Sequence, residues 1–257
     1  MRTITRLALL GTIVSTIATP ARAQLTGAIK WADSARVAIE AAAASGDAQR
    51  LEGARALVER ALTVYPNDPL LLHYQGYALY REASQLVGRQ QMAAAAPLVE
   101  RAAAALEQSE QRRPMPETLA LLAMLYGQQI AIDPSKGMTL GMLAGQTMGE
   151  AAGMGPNNPR VSLLRGMTAL FTPPEYGGGL AIADEHLTRA LVQFESDHPA
   201  PGLPAWGRAE AHVWLGQVRL RAGDTTRAVA QLREALAVAP DHAWAKSLLA
   251  SLGRAPK

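Results

Sequence analysis

Five histidines, His73, His186, His198, His212 and His242, are the side chains best suited to acid-base or metal chemistry in a chain that holds no cysteine. No two stand four residues apart with a glutamate between them, so the helical zinc-hydrolase pattern is absent. Without cysteine there is no thiolate nucleophile or thiolate ligand, and no Gly-x-Ser-x-Gly elbow offers an activated serine. Gly177-Gly178-Gly179 precedes a helix start, where free N–H groups and a partial positive charge suit an anion. No Lys-Ser/Thr follows as a phosphate loop requires, and a turn needing positive φ is the simpler use. Met138, Met142, Met148 and Met154, interleaved with Gly137, Gly141, Gly145, Gly149 and Gly153, allow adaptable binding or soft-metal handling. Their helical spacing favours plain packing. The residues therefore predict no catalysis, no metal site and no cofactor.

The elements that would carry these residues are helical. From Ala209 to His242, Leu215, Gly216, Gly223, Asp224, Ala228, Leu232, Ala235 and Pro240 define two short amphipathic helices joined at Gly223-Asp224. Small residues seven apart recur as Ala54/Ala61, Ala95/Ala102, Ala144/Ala151, Ala183/Ala190 and Ala228/Ala235. Each pair follows a small residue on a preceding helix, respectively Ala42, Gly76, Ala123, Gly166 and Gly216. Glycine costs about 1 kcal/mol in a helix interior, so its use at three of these places predicts close helix approach. Leu57 to Ala61 recurs as Leu98 to Ala102, and Pro66-Asn67-Asp68 is echoed by Pro156-Asn157-Asn158.

This pattern resembles the tetratricopeptide repeat (TPR). The resemblance implies an all-α, right-handed α-solenoid of about five helix pairs, at residues 25–66, 67–109, 114–156, 157–198 and 205–240, with a capping helix at 241–253. His212 and Arg219 depart from it, standing where the family usually has large aromatics. The turn Thr172 to Gly179 resembles one found in a subset of exported bacterial TPR proteins. Pro97 predicts either a second helix starting near Ala96 or a kink. Family architecture places the first helices on a concave face. Projected onto this chain it selects His73, Tyr77, Tyr80 and Arg81; Glu117, Met124 and Gln128; Arg160, Leu163 and Met167; and Glu210, Gln217 and Arg221. Arg81, Arg160 and Arg221 would pair with carboxylates along such a groove. The implied function is a scaffold for a protein or peptide partner, and the lysine-asparagine clamp for peptide C-termini is not reproduced. The alternative is an accessory of a TRAP-type transporter that handles a small molecule.

Arg2 and Arg6, an apolar run from Leu7 to Ala18, Pro20, and Ala21 and Ala23 around Arg22 have the layout of a cleavable secretory signal, cut after Ala23. The apolar run is shorter than the roughly 20 residues a membrane span needs. A periplasmic or secreted product follows, not membrane-spanning once cleaved. The whole chain has 25 basic and 22 acidic residues; subtracting three leader arginines leaves 22 of each. Formal neutrality without a basic, aromatic-interleaved stripe argues against a nucleic-acid partner. The outer edge of the first repeat leaves a homodimer open.

Overall fold

Cap chemistry sets the helix boundaries. The computed structural model describes residues 20–254 as α1 (Pro20–Ser45), α2 (Ala48–Val64), α3 (Pro69–Gly88), α4 (Met92–Arg112), α5 (Pro116–Ile132), α6 (Gly137–Met154), α7 (Pro159–Phe171), α8 (Leu180–Phe194), α9 (Arg208–Arg221), α10 (Thr225–Val238) and α11 (Ala243–Arg254). The expected leader lies outside these residues except for Pro20 to Ala23, which begin α1. Asp47 accepts from the N–H groups of Gln49 and Arg50, Asp68 from Leu70 and Leu71, Asn158 from Arg160 and Asp224 from Arg227. Each such cap contributes about 1 kcal/mol. Pro69 and Pro159 then occupy the first helical position, where a missing N–H costs nothing. The repeated Pro-Asn-Asp/Asn signal is thus a chain stop followed by a cap.

Consecutive helices pair antiparallel into an α-solenoid, and the small residues sit at the crossings. A Cβ on Gly76 would lie 2.6 Å from Leu106, one on Gly166 2.6 Å from Leu187, and one on Gly216 3.1 Å from Leu232. Ala54, Ala61, Ala95, Ala102, Ala151, Ala183, Ala190, Ala228 and Ala235 are buried as the register requires, whereas Ala144 is only half-buried. His212 and Arg219 replace aromatic packing with polar contacts: His212 meets Gln231 at 2.8 Å and Arg219 reaches Asp184 at 3.3 Å.

Three local expectations are corrected or narrowed. Of the two outcomes expected at Pro97, a start near Ala96 is excluded, since the second helix of repeat two starts at Met92 and Pro97 sits within it. Ala95, Val99, Ala102 and Leu106 keep one buried face across the proline, so burial offsets the lost backbone bond. Helix α11 passes through Gly253 to Arg254 instead of stopping there. The methionine-glycine helix α6 is not closely packed: only Thr147 and Ala151 are buried, and Met138 and Met142 are 86% and 74% exposed. Its glycines at 141, 145 and 149 face open space, because α6 lies on the outer layer with α5 as its main support.

The triple-glycine turn behaves as a turn. Gly177 and Gly179 have φ of +82° and +101°, and a Cβ on Gly178 would collide with the Thr172 carbonyl. Their N–H groups donate to Pro174 O, Pro173 O and Ala169 O, leaving none for an anion.

The stack closes on itself. Helix α1 touches α11, and a Cβ on Gly46 would meet Ala243 at 3.4 Å. Among the described residues no helix is long and apolar enough to cross a membrane.

Candidate functional site

The inner face is built from α1, α3, α5, α7 and α9, and it is already filled. The stretch from Glu195 to Gly207, between α8 and α9, runs across it. Tyr74 Oη donates to the carbonyl of Leu203 at 3.0 Å, and the Gly202 N–H donates to Asp33 at 3.0 Å. The Trp206 ring stacks on Tyr77 with centroids 4.5 Å apart, and its Nε1–H donates to His73 Nε2 at 3.3 Å. With Nε2 accepting, His73 Nδ1 carries the proton and donates to Thr118 Oγ1 at 2.9 Å. Burial, aided by the nearby Arg160 charge, pushes the His73 pKa down to about 3, so this imidazole is neutral.

Beside the tryptophan lies a charged network that joins the first, second and last repeats. Arg81 on α3 pairs with Glu210 on α9 at 2.8 Å, and its Nη1 donates to Tyr77 Oη at 3.2 Å. Tyr77 in turn donates to Glu40 on α1 at 2.6 Å. Burial and then the Glu210 charge push Glu40 up to about 7, against the pull of Arg81. Burial also acts to raise Glu210, but Arg81 and His242 outweigh it and hold that carboxyl below its ordinary value. For His242 burial wins over Glu210, and its pKa falls. Two carboxylates share one arginine, so one of them is held ionised and the other near neutrality.

Where the ends of the solenoid meet, a cleft of about 520 Å³ remains. Arg36, Glu40, Arg50, Arg160, Asp197, Arg208, Glu210, Asp241 and His242 are its charged or titratable lining, together with Phe194 and Trp206. Arg160 is 2% exposed and grips Asp197 with both terminal nitrogens, one at 3.1 Å.

Of the thirteen residues projected onto an open groove, His73, Tyr77, Tyr80, Glu117, Met124, Arg160, Leu163 and Met167 are buried. Tyr77, Arg81 and Glu210 do converge. His73 joins Trp206, and Glu117 accepts from Asn158 at 2.6 Å. Tyr80, Met124, Leu163 and Met167 belong to the apolar core. Gln128 and Gln217 are half-buried, and Arg221 is exposed, stacked over Phe171 at 5.5 Å. Arg81 and Arg160 pair with this chain's own Glu210 and Asp197, not with carboxylates offered along an open groove. Trp206, Glu40, Arg36, Asp197 and His242 were not singled out by the repeat register. They come from a linker, the back of α1 and the last turn, and meet only because the stack closes. Among the described residues no group of three or more His, Cys, Asp and Glu is placed to hold a metal ion.

No family model matches the sequence, and no curated protein matches it. Solved structures do. TTC0263, a thermophilic TPR protein from Thermus thermophilus, is 23% identical with a TM-score of 0.54, covering 79% of this chain and 90% of that one. The fold is TPR-like. The HusA haemophore from Porphyromonas gingivalis has the same kind of architecture, at 19% identity and a TM-score of 0.59, covering 75% of this chain and 92% of that one. At these identities the likeness concerns the TPR-like fold alone.

Proposed function

We propose that this TPR-like chain is a non-catalytic scaffold that binds a non-helical segment of a protein partner, and that it works outside the cytoplasm. One observation supports the binding mode: the inner face already holds a non-helical stretch, residues 198–206, containing three prolines and a turn at Pro201-Gly202. Tyr74 and Asp33 hold its main chain, which any sequence offers, while Trp206 stacks on Tyr77 and hydrogen-bonds His73. Main-chain contacts give affinity and side-chain slots give selectivity, the division of labour seen in peptide recognition generally. The tethered stretch occupies the face in cis, and a partner segment competes with it. The location rests on the leader pattern of residues 1–23.

The test replaces Pro199 to Trp206 with a Gly-Ser stretch and adds a synthetic peptide of residues 198–207 in trans. The peptide should bind the replaced variant and raise its Tm, and should not bind the parent protein, whose face is occupied. A folded variant that ignores the peptide would show that the inner face is ordinary core.

A second reading, small-molecule handling, is favoured by the cleft at the seam. A haemophore shares this fold, so the fold alone does not choose between a peptide and a small molecule.

A further inference from the structure

Buried polar atoms ordinarily find a partner, and each exception calls for a physical explanation. Among the described residues, Arg36 Nε, Arg160 Nε, Glu210 Oε2 and His242 Nε2 are buried without a hydrogen bond, Asp33 standing 4.0 Å from Arg36 Nε, and all four side chains line the cleft between the solenoid ends. Arg160 and His242 are themselves 2% and 3% exposed, so bulk water does not relieve them. The Ala245 N–H donates to His242 Nδ1 at 3.4 Å, which leaves the proton of the neutral ring on Nε2. The unmet set is therefore three donors and one carboxylate oxygen.

The charges that line the cleft have the same two-sided character. Asp197 neutralises Arg160, and Arg81, outside the cleft, neutralises one oxygen of Glu210. Glu40 is bonded to a tyrosine hydroxyl and to no cation. Phe194 and Trp206 supply apolar wall. A plain anion would satisfy the donors and be repelled by Glu210 and Glu40; a plain cation would meet the reverse.

We propose that this cleft binds a small zwitterion, of amino-acid to dipeptide size, whose carboxylate faces Arg36, Arg160 and His242 while its ammonium faces Glu210 and Glu40. Its volume lies within the range of small-molecule sites and exceeds what one amino acid needs. Free amino acids and short peptides share this chemistry, and the size of the preferred probe separates them. Pro199, Ala205 and Trp206 of the stretch that crosses the inner face also wall the cleft, so the site belongs to the state in which that stretch is in place.

Calorimetric titration of the purified protein with alanine, dialanine, N-acetyl-dialanine and dialanine amide tests the assignment at pH 7.5. One of the two zwitterions should bind, and blocking either end should weaken binding by about tenfold or more, because each block leaves a buried charge unmatched. Glu210→Gln should shrink the penalty for N-acetylation, and Arg36→Met should shrink the penalty for amidation, with thermal melts confirming that both variants fold. No heat from any probe at millimolar concentration would overturn the proposal in favour of a cleft holding only water. Equal binding of blocked and unblocked probes would overturn the charge assignment. The unblocked-against-blocked comparison needs no variant, so it decides even if both substitutions unfold the stack.

Discussion

Helices α3 and α6 are both apolar and nearly equal in length, yet α3 buries Leu70 to Tyr74, Gly76 to Tyr80 and Ala83, and α6 buries only Thr147 and Ala151. Composition does not separate them; position in the stack does. An inner helix here has neighbours before and after it, a partner behind it and residues 195–207 in front. An outer helix leans on its own partner and otherwise meets solvent. The stability of the molecule is concentrated in the inner layer, and substitutions in the two layers should differ accordingly.

The largest effect should come from Trp206→Ala, which removes the ring stacked on Tyr77 and leaves His73 Nε2 without its donor. A loss of about 3–5 kcal/mol in urea unfolding is expected, against a much smaller loss if the linker merely rests on the surface. Next is the pH dependence. Glu40 has a folded-state pKa of about 7, above its ordinary value of 4.5, so the contribution of its protonated form is complete below pH 4.5 and is lost as pH rises through 7. Glu40→Gln should flatten that decline in stability between pH 5 and about 8, by about 1–3 kcal/mol given the charges it shares. His73 works in the opposite sense, since its depressed pKa makes stability fall as pH drops from 6.5 toward 3. The smallest effect should be Met142→Gln on the exposed side of α6, within about 0.5 kcal/mol of the parent by the same measurement. A change of several kcal/mol there would mean that α6 is covered by something else.

The fold was legible because the repeat rule is local. Small residues at Gly76, Gly166 and Gly216 reported the crossings, and Asp68-Pro69 and Asn158-Pro159 reported the helix starts, each within a few residues of sequence. The site was half legible. Register assigned Tyr77, Arg81 and Glu210 to first helices, which here form the inner layer, but it could not say that the layer would be filled. That depended on residues 195–207, a stretch with no helical period, and on closure of the ends, which brings Leu203 to Tyr74 and His242 to the Glu210 network. Contacts separated by well over a hundred residues leave no mark on spacing. The methionines of α6 misled for a related reason: helical spacing shows that a face exists, and a neighbour decides whether it is buried.

The seam between α1 and α11 also changes what kind of folding unit this is. An open array of repeats gains stability in nearly independent increments and can fray from either end or nucleate anywhere. Here the final helix touches the first one, and Arg81 pairs with Glu210 near one end of the chain while the Tyr77 hydroxyl it donates to bonds Glu40 near the other. Those contacts demand closure of a long loop before they return anything, which raises contact order and slows folding relative to an open array of equal length. If that seam makes the molecule a single foldon, hydrogen exchange in α1 and α11 should be tied to global opening, where the end helices of an open array would exchange first.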